Sequence, residues 1–167
     1  KFSMDVCLYM SQNFDFISLP AHLTTGSSIM PHKKNPDVFE LIRGKCNKIQ
    51  ALPYEITLIT NNLPSGYHRD FQLLKEGLFP AIQNLKACLD IAIFSIKDIK
   101  VKDNILADKK YDYLFTVDTL NEMVVAGMPF RDAYKAVAQQ LEAGNYVSPK
   151  ETKHTHEGSI NNLCLAA

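Results

Sequence analysis

The sequence of 167 residues lacks three features that mark common functional classes. It has no glycine-rich nucleotide-binding motif, and we expect the protein to need no cofactor. Lysine plus arginine and aspartate plus glutamate balance at 18 each, so no bulk charge indicates a nucleic-acid partner or a membrane surface. No run of about 20 apolar residues is present, which predicts that no segment spans a membrane.

Paired cysteines are also lacking, since the four cysteines stand far apart and form no C-x-x-C pair. We interpret them as reduced, mostly buried thiols and expect a cytoplasmic location. The spacing of His154 and His156, with Cys164 eight positions further on, is not a usual ligand spacing for zinc, so we predict no metal site.

The apolar residues recur at helical spacing. Residues 42, 49, 56 and 63, with 38, 52 and 59 in the second heptad position, predict a bundle seam of some 25 residues that Pro53 kinks or briefly breaks. A second long helix is predicted from Asp70 to Lys97. Its wide apolar face suggests burial on more than one side and self-association, although an ordinary core helix is the alternative.

Shorter helices are predicted over residues 4–17, 109–125 and 130–143, and no segment shows convincing strand alternation. The predicted fold class is therefore all-α. We expect a bundle of long helices over residues 1–100 and a smaller helical C-terminal domain over residues 101–167.

The segment from Gly26 to Pro36 concentrates polar chemistry. It holds two serine hydroxyls, two lysine ammonium groups and a carboxamide, and two X-Pro steps predict that it is a loop. Asp37 then opens a helix, where the helix dipole favours a carboxylate. A cationic loop before a helix start suits a multiply negative small molecule, whereas a solvated basic turn is the alternative that composition leaves open.

This segment is similar to the signature loop of the fumarase/aspartase superfamily, G-S-S-x-M-x-x-K-x-N. The fixed positions are all present, as Gly26, Ser27, Ser28, Met30, Lys33 and Asn35. The continuation Lys33-Lys34-Asn35-Pro36-Asp37 resembles the argininosuccinate lyase family within it. His32 departs from the glutamine that many members carry, a difference that concerns substrate tuning and not the class.

Two further segments resemble the same family, and the resemblance extends roughly from Met4 to Ala138. Residues 63–76 read as L-P-x-x-Y-x-x-D-x-Q-x-x-K-E, with His68 where asparagine is more usual. Residues 127–134 read as G-x-P-F-R-x-A-Y.

The resemblance implies a β-elimination that converts argininosuccinate into arginine and fumarate, within arginine biosynthesis. It makes Ser27 the general base and Lys33 the stabilising cation, and it pairs Glu40 with a histidine from an upstream segment. The matching substrate-binding positions are Ser28, Asn35, Tyr67, Gln72 and Lys75. It also implies a homotetramer whose active sites form at the junction of three subunits.

Blander interpretations of these residues remain open from the sequence. Ser27 alone could be a turn-capping hydroxyl, Glu40 an exposed helix glutamate, and residues 67, 72 and 75 ordinary solvated polar groups. At the level of the protein, the alternatives are another fumarate-releasing lyase such as adenylosuccinate lyase, a non-catalytic structural relative, or a helical interaction module without a small ligand. Because the upstream histidine is not in this chain, we expect the C-terminal portion of a longer enzyme that is inactive by itself.

Overall fold

The computed structural model describes residues 1–151 and 154–165, and this part of the chain is mostly helical. Its α-helices are α1 (Phe2–Tyr9), α2 (Asp37–Gln50), α3 (Leu52–Ile59), α4 (Leu74–Ile96), α5 (Thr116–Val125) and α6 (Phe130–Glu142). The predicted all-α fold class is confirmed. Contacts between residues divide the chain into two compact units, Lys1–Lys102 and Asp103–Ala167. The domain boundary predicted near residue 100 stays a prediction about the complete protein.

The expectation of no strand is wrong in one detail of the first unit. Two short strands, β1 (Ile17–Ser18) and β2 (Lys100–Val101), pair antiparallel with Ile17 opposite Val101. Strands of two residues are too short to show an alternating pattern, so periodicity could not reveal them.

The first helix is shorter than the predicted range of residues 4–17. It ends at Tyr9, because the Ser11 hydroxyl donates to the Leu8 carbonyl at 2.6 Å and thereby competes with the next helical turn. Asp15 then adopts a positive φ of 48°, which helical continuation does not allow.

The predicted break near Pro53 is confirmed. Helix α2 ends at Gln50 and α3 begins at Leu52, so that Pro53 lies in the first turn of α3. Proline is tolerated there because the first N–H groups of a helix have no intrahelical acceptor.

Helix α4 begins four residues later than the predicted Asp70. Residues Arg69–Gln72 form a 3-10 helix instead, and α4 follows from Leu74 to Ile96. Much of its apolar surface is exposed in this chain, including Phe79, Ile82, Leu85, Leu89, Ile93 and Phe94. The predicted wide apolar face therefore exists, and this chain covers only part of it.

By length and composition alone, the segment Arg69–Ile96 could cross a membrane, with a mean hydropathy of 1.2 in its most apolar part. The absence of an uninterrupted run of about 20 apolar residues therefore does not by itself exclude a span. The finding is weak evidence for a span, because long core helices of other proteins pass the same test. Lys86 and Asp90 near the middle of α4 count against one, since charges at the bilayer centre are costly.

The core of the first unit lies where α1, α2 and α4 meet. Its buried side chains are Val6, Leu19, Leu23, Phe39, Ile42 and Cys88. Phe39 is fully buried, and its ring meets that of Phe2 edge-on at 5.8 Å between centroids. Because Phe39 lies in the first turn of α2, this core fixes the position at which the preceding loop ends.

The second unit packs α5 against α6 around Leu120, Ala133 and Val137. The helix predicted from residue 109 to 125 is α-helical only from Thr116, because Lys109–Phe115 adopt a 3-10 helix. Residues that follow α6 contact the rest of this unit. Lys150 pairs with Asp112, and the Nε2 of His154 lies 2.7 Å from the Oδ1 of Asp118.

Candidate active site

Residues 26–36, which we call the signature loop, form the predicted loop and are closed at the base by backbone hydrogen bonds. The Thr25 N–H donates to the Asn35 carbonyl at 3.1 Å, and the Asn35 N–H donates to the Thr25 carbonyl at 2.8 Å. The Asn35 carboxamide adds a hydrogen bond of 3.4 Å to the Gly26 carbonyl. Helix α2 begins directly after the loop at Asp37.

Ser27 lies at the start of the signature loop and is half-buried, whereas Ser28 beside it is exposed. The Ser27 Oγ accepts hydrogen bonds from the backbone N–H groups of Ile29 and Met30, each at 3.2 Å. These contacts make Ser27 a turn-capping hydroxyl. They also direct two N–H dipoles at the oxygen that would become negative if Ser27 acted as a base, which favours its charged form.

The two lysines of the loop present cations that are unpaired within the part of the chain that the structure describes. Lys33 is held by its backbone, whose N–H donates to the Met30 carbonyl at 3.0 Å. The side chains of Lys33 and Lys34 are both exposed, and within the described residues neither forms a hydrogen bond or an ion pair through its ammonium group. Both charges are therefore available to an anionic ligand. The two lysines differ only in that Lys33 is a fixed position of the signature pattern and Lys34 is not.

Glu40 occupies the first turn of α2, one helical turn beyond the loop, and is exposed. Its carboxylate lies near Cys7 of α1. Burial raises the pKa of the Cys7 thiol, Arg43 opposes this rise, and Glu40 adds to it. Glu40 has no hydrogen-bond or ion-pair partner among the described residues, so its acceptor oxygens are free.

A second group of predicted site residues is brought together by the turn before α4. Gly66, directly before Tyr67, has a φ of 112°. Residues with a side chain rarely adopt that backbone conformation, so glycine suits this turn. Gln72 hydrogen-bonds to the Tyr67 hydroxyl through its Nε2, and Lys75 Nζ donates to Gln72 Oε1 at 2.6 Å. We call Tyr67, Gln72 and Lys75 the polar relay.

The direction of every hydrogen bond in the polar relay is fixed by Lys75. An ammonium group can only donate, so Gln72 must offer its carbonyl oxygen to Lys75 and its NH₂ group to Tyr67. The Tyr67 oxygen then accepts from Gln72, and its own hydrogen remains available to donate. The exposed relay thus offers the Tyr67 O–H and the remaining N–H groups of Lys75 as donors, an arrangement suited to a carboxylate.

Two further residues of this turn were not predicted to be part of the site, although His68 was noted as a departure from the family pattern. The half-buried Phe71 stacks on Tyr67, with 5.8 Å between ring centroids and 29° between ring planes. Because Tyr67 precedes the 3-10 helix, the neighbour spacing of helices does not apply here, and no signal in the sequence indicated this pair. His68 carries a buried Nε2 that has no hydrogen-bond partner among the described residues, which no sequence pattern could indicate.

The signature loop and the polar relay remain separate within this chain. No hydrogen bond or ion pair joins them in the part of the chain that the structure describes. A cavity of about 530 Å³ between α2, α3 and α4 is lined by Lys45, Lys48, Glu55 and Glu76 among others, and includes none of the predicted site residues. Within the described residues of the first unit, the predicted site residues therefore form two separate groups, which we refer to as the two half-sites.

Comparison with known proteins places these residues in a family. A family model described as "Lyase" matches residues 1–51, which include the signature loop and all of α2. The argininosuccinate lyase of Parabacteroides distasonis is 58% identical over 164 residues, which are 98% of this chain and 37% of that protein. That of Bacteroides thetaiotaomicron is 56% identical over the same shares of both chains.

A more distant relative gives the same result. The argininosuccinate lyase of Aquifex aeolicus is 38% identical over 148 residues, which cover 86% of this chain and 32% of that protein. The chain thus spans about a third of the length of the curated relatives it matches. With its signature loop intact and its similarity extending over nearly all of its residues, the chain belongs to the argininosuccinate lyase family.

Proposed function

We propose that this chain is part of an argininosuccinate lyase, which splits argininosuccinate into arginine and fumarate in arginine biosynthesis. The observation that carries the proposal is the 58% identity to an argininosuccinate lyase over 98% of the chain. Since the chain spans 37% of that relative, the complete activity belongs to the complete enzyme, by which we mean this chain together with the segments that its relatives carry beyond it.

The reaction begins with removal of a proton from the carbon beside a carboxylate, and Ser27 is the proposed base. The electron pair of that C–H bond becomes the double bond of fumarate. The C–N bond breaks, and its electron pair leaves with the guanidino nitrogen of arginine, which takes up a proton. Hydrogen bonds from the N–H groups of Ile29 and Met30 to Ser27 Oγ support the base role, because they stabilise an alkoxide.

Removal of that proton places extra negative charge on the carboxylate of the intermediate. Lys33 is the proposed cation that stabilises it, with Ser28 and Asn35 as further donors around the same oxygens. A single well-placed donor in a closed site contributes about 3–4 kcal/mol to transition-state stabilisation. The Lys33 ammonium group has no partner among the described residues, which supports that role.

The polar relay is the proposed binding site for a carboxylate at a non-reacting part of the substrate. The Tyr67 hydroxyl and Lys75 ammonium group would both donate to it, while Gln72 holds them in place. Glu40 is proposed to orient a histidine supplied by a segment outside this chain. That histidine would act on the acid side of the reaction.

We further propose that the complete enzyme is a cytoplasmic homotetramer with active sites shared between subunits. The exposed apolar face of α4 supports the assembly, because a face of that width needs partner helices to cover it. The separation of the signature loop from the polar relay supports shared sites, since a second subunit could supply the half that one chain lacks. All four cysteines are free, in keeping with a reducing compartment.

Release of fumarate, followed by its ultraviolet absorbance, tests the proposal. The complete enzyme should release fumarate from argininosuccinate and not from adenylosuccinate. Turnover of adenylosuccinate alone would assign the chain to another lyase of the superfamily. An assembled tetramer that turns over neither substrate would make it a non-catalytic relative.

The same assay applied to residues 1–167 alone tests whether the two half-sites of this chain are active without the rest of the complete enzyme. We expect helical circular dichroism and a tendency to self-associate, but no release of fumarate, because the donors of a catalytic site are effective only when fixed around a closed pocket. Cleavage of argininosuccinate by this chain without the remaining segments would contradict the proposed division of the site.

A further inference from the structure

The aromatic stack beside the polar relay has no place in the proposed chemistry. Phe71 carries no polar group, and yet its ring lies 5.8 Å from that of Tyr67, with a small angle of 29° between the planes. Tyr67 as a whole residue is 68% exposed. An exposed tyrosine on a turn ordinarily samples several rotamers, so a contact that selects one of them affects where its hydroxyl lies.

The stack and the relay act on Tyr67 from different points. Phe71 contacts the ring, whereas Gln72 holds the hydroxyl by a hydrogen bond. Both residues belong to the 3-10 helix Arg69–Gln72, and the Phe71 N–H donates to the His68 carbonyl at 3.2 Å, which ties the turn to the residue next to Tyr67. Two contacts from one turn therefore restrain both the plane of the ring and the position of its hydroxyl.

We propose that Phe71 is a positioning residue for substrate binding, which acts through Tyr67. It holds the tyrosine ring so that the hydroxyl stays in register with Gln72 and Lys75 before substrate arrives. This inference rests on the proposed function, in which the relay binds a substrate carboxylate. Because the relay touches a non-reacting part of the substrate, loss of the stack should raise KM and leave kcat nearly unchanged.

Four variants of the complete enzyme test the proposal. Phe71→Leu removes the ring but keeps an apolar chain, and it should raise KM for argininosuccinate by about three- to tenfold, the range that an aromatic pair contributes. Phe71→Tyr keeps the ring and should restore KM to within about twofold of the parent enzyme. A purely packing role would lower the thermal midpoint of Phe71→Leu without this dependence of KM on the ring.

The remaining two variants form a double-mutant cycle with the tyrosine hydroxyl. Tyr67→Phe should raise KM, and adding Phe71→Leu to it should raise KM by less than about twofold more, because the group being positioned is already gone. If Phe71→Leu does not assemble, Phe71→Met refills a similar volume and carries the same expectation.

The outcomes separate this inference from the function on which it rests. If Tyr67→Phe raises KM while Phe71→Leu and Phe71→Met leave it unchanged, the relay binds substrate and Phe71 does not position it. Independent, additive effects of the two changes would also overturn the positioning role. If Tyr67→Phe leaves KM unchanged, Tyr67 does not contact substrate, and the assignment of the relay fails together with the inference.

Discussion

Neighbouring lysines of the signature loop give the sharpest test of the proposed chemistry. Lys33→Met and Lys34→Met remove the same charge one residue apart and keep a chain of similar length. Both side chains are exposed and neither has an ion-pair partner among the described residues, so neither change breaks a structural contact. Both variants should therefore unfold at the same temperature as the parent enzyme.

The effect on turnover should differ between the two positions. If Lys33 stabilises the negative charge of the intermediate, its loss removes about 3–4 kcal/mol of transition-state stabilisation, which is a fall of roughly 10²- to 10³-fold in kcat. Lys34 lies outside the fixed positions of the signature, and its replacement should change kcat by less than about tenfold, as expected for a screened surface charge.

Steady-state fumarate release by the complete enzyme measures both variants, and thermal unfolding supplies the control for folding. Equal losses of kcat at the two positions would show that the loop contributes a diffuse positive field and no specific cation. Loss of thermal stability in either variant would show that the lysine has a structural partner in the complete enzyme.

Three further predictions concern the base, the helices and the thiols. Ser27→Ala should lower kcat by about 10³-fold or more while KM stays within about tenfold, and turnover within about tenfold of the parent would remove Ser27 from the mechanism. Gly44→Ala should stabilise this chain against urea by about 1 kcal/mol, since an added methyl meets no atom within 4 Å. Gly77→Ala should gain less, because its methyl would lie 2.8 Å from a leucine methyl of α3, and an equal gain at both glycines would contradict the close approach of α3 and α4. Iodoacetamide, with labelling measured by mass spectrometry, should modify the exposed Cys164 before Cys88, because burial raises the pKa of the Cys88 thiol and lowers its thiolate fraction at pH 8. The labelling rate of Cys88 should rise as the pH approaches 9 and above. If Cys88 is labelled faster than Cys164, then α2 and α4 are not packed together.

The helices that the sequence predicted best are those with long periodic patterns and strong terminal signals. Asp37 after an X-Pro step marked the start of α2, Pro53 marked the break before α3, and Gly127 marked the end of α5. Each of these is a local steric or electrostatic effect that acts in any tertiary context. Local rules sufficed for these boundaries.

The elements that were missed depend on contacts between distant residues or on small local energies. Strands β1 and β2 pair across more than eighty positions of sequence, and two residues in each carry no periodicity. The early end of α1 depends on one serine hydroxyl. The helix predicted from residue 109 begins as a 3-10 helix, whose hydrogen bonds span one residue fewer than those of an α-helix. The spacing of apolar residues hardly distinguishes the two kinds of helix.

The sequence motifs predicted the candidate site as a list of residues, and that list stays a prediction; they did not predict how those residues are arranged. The signature loop indicated Ser27 and Lys33, and the second matching segment indicated Tyr67, Gln72 and Lys75, while only the folded structure shows the direction of hydrogen bonding in the relay and the stack on Tyr67. The division into two unjoined half-sites also required coordinates. Whether these half-sites meet in the complete enzyme stays a prediction.

The backbone pairing of Thr25 with Asn35 has a thermodynamic consequence for the signature loop. Ordering a free backbone segment costs about 1–2 kcal/mol per residue in conformational entropy. Because the ends of this loop are already tied together by two hydrogen bonds, part of that loss occurs during folding and not during substrate binding. Since both hydrogen bonds use main-chain atoms, Asn35→Ala would keep them. Asn35→Pro would remove the N–H donor of one of them and would shift the entropic cost of ordering the loop to the substrate-binding step.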